Sequence, residues 1–169
     1  MRETDQPAAF VHFRVGSCGL SLRVREVEMV VRLRPRSELD RPIPGVDGAL
    51  PLHGLVVPLV HLSRILEIEA EEPEMAVVAT AKEHQVALGV NDVIGLYESP
   101  EIETDVRPVP GLGGRGVRQI HRLEGEIIFW LDMERIISEE GWDAIRSLGE
   151  MGTDGLLGDS TLGILGYDE

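Results

Sequence analysis

Residues 54–66 read GLVVPLVHLSRIL, and residues 125–137 read GEIIFWLDMERII. Each stretch begins with a turn glycine, continues as an apolar strand and ends in a short helical segment that carries Arg-Ile. The two stretches match at an offset of 71 residues. A period this long, present twice, predicts two duplicated subdomains and not a solenoid. Chance similarity between two buried strand-to-helix units is the alternative interpretation.

The residue before each short helix differs between the two copies. Asp132 can accept a hydrogen bond from a backbone N–H at a helix start, whereas His61 does so less readily. We therefore expect the first helix to be the weaker one. If Ser63 caps the first helix instead, that helix begins two residues later.

Outward from the repeat, the chain is mostly extended. Residues 9–15 and 20–24 predict an opening hairpin, residues 75–81 and 85–90 a second one, and residues 93–97 and 117–123 two further strands. The spacing of four valines instead predicts one face of a short helix over residues 24–31. They are Val24, Val27, Val30 and Val31. The fold class expected from this pattern is mainly β with short helices.

Composition shifts predict the domain organisation. Residues 1–8 form an N-terminal arm, and the main domain covers residues 9–138 in two subdomains, 9–66 and 75–138. Five glutamates mark residues 67–74 as an exposed acidic connector between them. Residues 139–169 form an acidic, glycine-rich C-terminal tail without periodicity, for which we expect disorder. The alternative is that the Leu and Ile pairs within residues 155–166 form a docking peptide.

Charge limits the classes of partner. The chain has a net charge of -14, which argues against nucleic acid and anionic membrane, because both require a basic face. Residues 1–64 hold nine arginines against seven acids, and the remainder holds seven basic residues against 23 acids. This contrast is either an orientation signal in an assembly or simply a solvated acidic surface. Without an apolar stretch of about 18 residues or a signal sequence, a cytoplasmic protein with no direct membrane insertion is expected.

Nothing in the sequence indicates catalysis, a cofactor or a metal. The five histidines lie singly, and one cysteine, Cys18, excludes a multi-cysteine zinc site. The glycines of residues 111–116 have neither a preceding strand nor a following helix, so they are not a phosphate-binding loop. The many carboxylates fall in segments expected to be solvated, where nothing raises a pKa toward catalytic use. We expect a protein that is not an enzyme.

The pattern of residues 10–138 resembles the CheW-like domain, which chemotaxis adaptors share with the regulatory domain of the kinase CheA. It covers about three quarters of the chain. The residues that carry it are VREV at 24–27, IPGVDG at 43–48, LHG at 52–54, VVPLV at 56–60, VALGV at 86–90, Asp92, Val93, Ile102, Pro110 and IFWLD at 128–132.

The resemblance implies two intertwined five-stranded β-barrel subdomains packed through a shared apolar seam, and a non-catalytic adaptor in bacterial chemotaxis-type signal transduction. The implied partners are the helical tip of a methyl-accepting chemoreceptor, a CheA-type histidine kinase and other CheW-like domains. The receptor tip would lie in the groove between subdomains, at receptor arrays on the inner face of the membrane.

Seven residues are candidates for partner binding. Five are apolar, as helix-in-groove recognition requires, and two lie in a turn; core burial is the alternative for the apolar ones. They are Val27, Val31, Leu52, His53, Gly54, Val57 and Val93.

Two departures from the family pattern indicate a divergent adaptor. The family usually has Asn-Leu-Arg-Gly where this chain has residues 51–54, Pro-Leu-His-Gly, and Asp-Leu where it has His61 and Leu62. At residue 53, histidine lacks the permanent charge and fixed donors of arginine. A scaffold of another signalling or motility pathway, with altered receptor or kinase binding, is therefore the second interpretation. A small β-barrel enzyme or ligand binder is the third.

Overall fold

Residues 8–33, 46–104 and 116–151 of the chain are described by a computed structural model. Most of the regular structure is extended, in strands β1 (Ala9–Val15), β2 (Cys18–Arg23), β3 (Val27–Arg32), β4 (Gly48–Leu52), β5 (Leu55–His61), β6 (Met75–Ala81), β7 (His84–Val90), β8 (Asp92–Glu98), β9 (Glu101–Ile102), β10 (Val117–Leu123) and β11 (Glu126–Leu131). The helices are α1 (Leu62–Ile65), α2 (Met133–Ile136) and α3 (Glu139–Met151).

The strands form two sheets. Sheet A has the order β8-β1-β2-β11-β10-β9, and sheet B has the order β3-β6-β7-β5-β4. The prediction of a mainly β fold with short helices is confirmed. Five strands are found in sheet B, but sheet A has six, because the two-residue strand β9 also pairs with β10. The outermost strands of sheet A, β8 and β9, are joined by residues 99–100 alone, so this sheet curls back on itself.

The two sheets exchange hairpins. Sheet B contains the consecutive strands β3 to β7, whereas sheet A combines β1 and β2 with β8 to β11. In each sheet a hairpin joins the other strands through one parallel pairing, β2 with β11 and β7 with β5. The ranges 9–66 and 75–138 therefore do not form one sheet each, because each range gives its first hairpin to the other sheet. This exchange is the intertwining that the family resemblance implies.

The 71-residue repeat is a hairpin followed by a short helix in each sheet. β4 pairs with β5 through a turn at His53 and Gly54, and β10 pairs with β11 through a turn at Glu124 and Gly125. The four turn residues have φ of 48°, 81°, 50° and 85° in that order. Two successive residues with positive φ are typical of the type I′ turn, whose twist suits antiparallel strands and whose second position favours glycine.

The caps of α1 and α2 differ as the sequence predicts. The Asp132 side chain accepts a hydrogen bond of 3.0 Å from the Glu134 N–H, while His61 provides no side-chain cap. The carboxylate of Asp47 instead accepts from the His61 N–H at 2.8 Å and pairs with Arg64. α1 still begins at residue 62, so a later start capped by Ser63 is wrong.

An apolar seam between the sheets is the main core. Along β1, every second side chain faces the seam, and β6 alternates in the same way. Burial of each large apolar side chain contributes roughly 1.5–3 kcal/mol, so this shared core joins the sheets. Its fully or nearly fully buried residues include Val11, Phe13, Val15, Leu20, Leu22, Val77, Ala79, Leu88, Leu131 and Trp142.

The short helix expected over residues 24–31 is wrong beyond its first turn. A 3-10 turn covers Val24–Glu26, and residues 27–32 form strand β3, which pairs with β6. No residue of the 3-10 turn is buried, whereas Val31 is buried opposite Ala76. Strand pairing and burial therefore outweigh the helical spacing of the valines.

The connector at 67–74 is exposed only in part. Its five glutamates are exposed, as expected, but Ile68 and Ala70 pack against the seam core. Asn91 holds the connector against the first hairpin, because its side chain accepts from the Gly16 N–H at 2.7 Å and donates to the Glu71 carbonyl at 2.9 Å. The connector is thus part of the packed fold.

The expectation of a disordered tail from residue 139 is wrong for residues 139–151, which form α3. The Ser138 hydroxyl caps this helix by accepting from the Gly141 N–H at 3.0 Å. Three side chains at helical spacing, Trp142, Ile145 and Leu148, are buried. Their spacing and the serine before two glutamates were the helix signals in the sequence. Residues 152–169, including the docking-peptide candidate, lie outside the described residues.

Replacing Trp142 with alanine tests whether α3 belongs to the core. The side chain is 1% exposed, so we expect Trp142→Ala to lower the free energy of unfolding by about 3–5 kcal/mol in denaturant titrations. The exposed residue Ser147 on the same helix provides the control, because Ser147→Ala should change stability by less than about 0.5 kcal/mol. Equal, small effects of both substitutions would contradict the packing of α3.

Candidate interaction surface

Three predicted binding residues belong to a core. Val31, Leu52 and Val57 are 6%, 3% and 1% exposed and pack together on the side of sheet B that faces away from the seam. We call this buried cluster the sheet B interior; it consists of Val31, Leu50, Leu52, Val57, Leu59, Ala76, Val78 and Ala87. The three side chains do not line a surface, which corrects the expectation that they face a partner.

Val27 and Val93 lie at matching places in the two sheets. Val27 is on β3 and pairs with Ala79, and Val93 is on β8 and pairs with Phe13. Both valines are half-buried against the seam core. β3 is the outermost strand at one end of sheet B, and β8 holds the same position in sheet A. The two valines thus mark where the seam reaches an edge strand.

A bulge follows each valine. The pairing of β3 skips Glu28, and the pairing of β8 skips Ile94. An extra residue in a strand turns the next side chains to the opposite face. After the bulges, Val30 pairs with the seam residue Val77, and Leu96 pairs with the seam residue Val11.

Val30 and Leu96 therefore lie on the seam-facing side of their strands but remain 39% and 70% exposed. The sequence-based candidates include neither residue. Val30 was expected on a helical face together with Val27, and strict strand alternation would place Leu96, three residues after Val93, on the opposite face. Residues that face the seam from edge strands offer apolar area without belonging to the core. We call Val27, Val30, Val93 and Leu96 the seam-edge residues.

The charges of the two edge strands differ. β3 carries both exposed Glu28 and exposed Arg32, whereas the exposed charges of β8, Asp92 and Glu98, are both acidic. One edge strand is thus mixed in charge and the other is acidic. A charged partner would distinguish one edge from the other.

His53 and Gly54 lie at an exposed turn followed by Leu55, which is 61% exposed. His53 adopts φ 48°, a left-handed conformation that histidine, asparagine and aspartate populate more readily than most side chains. The histidine that replaces the arginine of the family pattern is therefore suited to the backbone of this turn. The turn is separate from the sheet B interior, where its neighbour Leu52 is buried.

A buried hydrogen-bonded network lies on the side of sheet A that faces away from the seam. The Tyr97 hydroxyl is 2.8 Å from the Ser21 hydroxyl oxygen and 2.7 Å from Nδ1 of His121. The other ring nitrogen of His121 is 3.1 Å from Oε1 of Gln119. Burial raises the pKa of Tyr97 to about 12 and lowers the pKa of His121 below its usual 6.5, since each charged form would lose its hydration.

A second polar group joins the first hairpin to β11. The Arg14 guanidinium donates to both carboxylate oxygens of Glu126, at 2.8 and 2.9 Å, and Nε2 of His12 is 3.3 Å from the same carboxylate. Burial lowers the pKa of His12, although the carboxylate of Glu126 partly opposes this shift. Burial also raises the pKa of the Cys18 thiol, which disfavours its reactive thiolate form.

Over the described ranges, no three His, Cys, Asp or Glu side chains are grouped so that they could hold a metal ion. Within the same ranges, none of the helices has the length and apolar character needed to cross a membrane.

Comparisons with known proteins agree with this architecture. The sequence model described as the CheW-like domain matches residues 9–141. A protein named Chemotaxis protein CheW from Thermotoga maritima is 28% identical over 129 residues, which cover 75% of this chain and 85% of that protein. A second protein of this name, from Rhizobium meliloti, is 25% identical over 148 residues, covering 83% and 94%.

The fold is also found in a solved structure. The crystal structure of the scaffolding protein TtCheW from Thermoanaerobacter tengcongensis matches with a TM-score of 0.67 and 16% identity. The match covers 80% of this chain and 91% of that one. At this identity the likeness establishes the fold alone.

Two leucines distinguish core from surface among the candidate residues. Leu52→Ala should lower the free energy of unfolding by about 2–5 kcal/mol, because it leaves a cavity in the sheet B interior. Leu96→Ala removes an exposed side chain and should change stability by less than about 0.5 kcal/mol. Chemical denaturation of the two variants measures this contrast, and a large loss with Leu96→Ala would contradict its assignment to the surface.

Proposed function

The chain belongs to the CheW-like domain family, and from this membership we propose that it is a non-catalytic adaptor of bacterial chemotaxis-type signalling, which couples chemoreceptors to a CheA-type histidine kinase. The observation that carries the proposal is the family match over residues 9–141, which spans every strand of both sheets. The work of such an adaptor is to present surfaces to its partners, and it requires neither a cofactor nor a metal.

The receptor surface proposed for this chain is formed by the seam-edge residues. A helical receptor tip buries an apolar stripe of side chains three and four positions apart, so it needs exposed or half-buried aliphatic side chains on a firm support. Val30 and Leu96 offer such area, and Val27 and Val93 connect it to the seam core. The candidates Val31, Leu52 and Val57 would contribute indirectly, because their packing in the sheet B interior holds β3, β4 and β5 in place.

The kinase surface is proposed to use the turn of His53 and Gly54 together with the edges of the sheets. The exposed Leu55 supplies apolar area beside this turn. The mixed charges of β3 and the acidic charges of β8 would favour one orientation of a neighbouring CheW-like domain, from the kinase or from another adaptor. In this proposal the adaptor works at receptor arrays on the inner face of the membrane and reaches them through proteins, not by insertion into lipid.

A scaffold of another signalling or motility pathway is the second candidate. It is favoured by Pro51 and His53, which replace the usual asparagine and arginine of the family pattern. Because His53 is exposed, this replacement alters the charge that a partner meets at the turn. Sheet A contains two histidines and one tyrosine with shifted pKa values, but their side chains are buried. They therefore give little support to an enzymatic function.

Charge substitutions at the seam edge test the receptor contact. In Val30→Lys and Leu96→Lys a charge would replace an apolar contact, so each should weaken binding to a receptor signalling-domain fragment by about tenfold or more in calorimetry. Ser147→Lys on the exposed side of α3 is the matched control and should bind as the unmodified chain does. Normal affinity for both seam-edge variants would exclude this surface.

The variant His53→Arg tests whether the turn separates this adaptor from its relatives. Restoring the arginine adds a permanent charge and several donors, so we expect tighter binding to a CheA-type kinase, by about three- to tenfold. The change His84→Arg, at a half-buried histidine beside another hairpin turn, would add the same charge elsewhere and serves as the control. Unchanged kinase and receptor affinity in His53→Arg would remove this substitution as the cause of the divergence.

A further inference from the structure

The two sheets are equivalent strand by strand. β1, β2 and β8 of sheet A match β6, β7 and β3 of sheet B at an offset of 66 residues, while β10 and β11 match β4 and β5 at 71. The registers agree under these offsets. For example, His121 pairs with Ile128 as Leu50 pairs with Val57. The two interiors can therefore be compared position by position.

The interior of sheet A is polar at four positions where the sheet B interior is apolar. In sheet B the matching positions hold Val78, Ala87, Val31 and Leu50, all in the buried apolar cluster. Sheet A has hydrogen-bonding side chains at all four positions, and in the same order they are His12, Ser21, Tyr97 and His121. Since the same backbone positions accept apolar side chains in sheet B, the polar set is not required by the fold.

The hydrogen bonds of Tyr97 join three strands of sheet A. Tyr97 on β8 contacts Ser21 on β2 and His121 on β10, and its ring stacks on Phe10 of β1 with centroids 5.2 Å apart. In the described part of the chain, β8 is an outermost strand paired with β1, and the bulge at Ile94 interrupts that pairing. The contacts of Tyr97 therefore hold the second half of β8 in the sheet.

Among the described residues, the side chains in contact with His121 carry no negative charge. It meets Tyr97 from β8, Phe10 from β1, Trp130 from β11 and Gln119 on its own strand. The nearby strand β9 carries Glu101 and Glu103, but Glu103 pairs with Arg122.

The other buried histidine, His12, meets different groups. They are Glu126 from β11, Arg14 from its own strand, Tyr97 from β8 and the backbone of Gly19 from β2. Its charge would be opposed by Arg14 and balanced by Glu126, so protonation at His121 is the costlier of the two.

Protonation of His121 would place a charge inside this enclosed network. The Tyr97 hydroxyl donates to the Ser21 oxygen, so the Tyr97 oxygen is left to accept a hydrogen bond from Nδ1 of the ring. A protonated ring can donate from both nitrogens, to Tyr97 and to Oε1 of Gln119, so no donor is displaced. The closed arrangement is opposed by the cost of burying the charge.

We propose that the polar interior of sheet A is a proton-sensitive clasp, in which protonation of His121 releases strand β8 and its seam-edge residues while sheet B stays closed. The lowered pKa of His121 means that the open form binds more protons than the closed form. The clasp is therefore complete above the usual histidine pKa of 6.5 and weakens as the pH falls below it. The clasp itself does not depend on the proposed function. Its effect on partner binding does, because Val93 and Leu96 lie on β8.

Amide hydrogen exchange of the full chain without any partner tests the clasp. Exchange is measured at about pH 7.5 and about pH 5.5 and corrected for intrinsic rates. We expect residues 95–98 of β8 to lose about tenfold or more protection at the lower pH, while β3, their counterpart in sheet B, changes little. Equal loss of protection in both strands would overturn the proposal.

The variant Ser21→Ala/Tyr97→Phe/His121→Leu gives three of the four polar positions apolar side chains. Its alanine and leucine copy Ala87 and Leu50, which hold the matching positions in sheet B. Protection of β8 in this variant should no longer depend on pH, and a retained dependence would overturn the proposal. If the variant does not fold, an NMR titration of His121 in the unmodified chain decides: titration with a pKa near 6.5, without loss of β8 protection, would also overturn it.

Discussion

The apolar seam between the sheets is the interaction on which the rest of this protein depends. Neither sheet is complete without a hairpin from the other part of the chain, and the seam is where these hairpins pack against each other. Leu20 and Leu22 on one hairpin and Leu88 on the other are fully buried there. α3 extends the same core, with Trp142 under the Lys82 ammonium at 5.3 Å from the ring centroid. The edge strands that carry the proposed partner surface derive their position from this packing.

The duplicated architecture could be predicted from sequence, because turn glycines, apolar strands and helix caps are local signals. The 71-residue repeat and the cap at Asp132 needed no knowledge of distant contacts. Pro58 has no backbone donor, yet it lies within β5 of sheet B, because the pairing of β5 with β7 begins one residue later, at Leu59.

The remaining features depend on contacts that a single sequence does not display. The bulges at Glu28 and Ile94 change which side chains of β3 and β8 share a face of the strand. The residue types at these two positions do not indicate a bulge. The sequence predicts Val31 and Leu52 as surface residues that bind a partner. An apolar residue gives the same sequence pattern whether its side chain faces a partner or the core. α3 was missed although its cap and spacing were visible, because the surrounding acids and glycines outweighed them in composition.

The exchange of hairpins has a consequence for how the chain is made. Strands β3 to β7 follow one another along the chain, so sheet B can assemble while the polypeptide is still being synthesised. β2, in contrast, must wait for β11, more than a hundred residues later, as in the pairing of Gly19 with Ile128. During that interval the first hairpin can pair with β8 and pack against the seam face of sheet B. The seam thus serves first as a template for assembly and afterwards as the core of the finished protein.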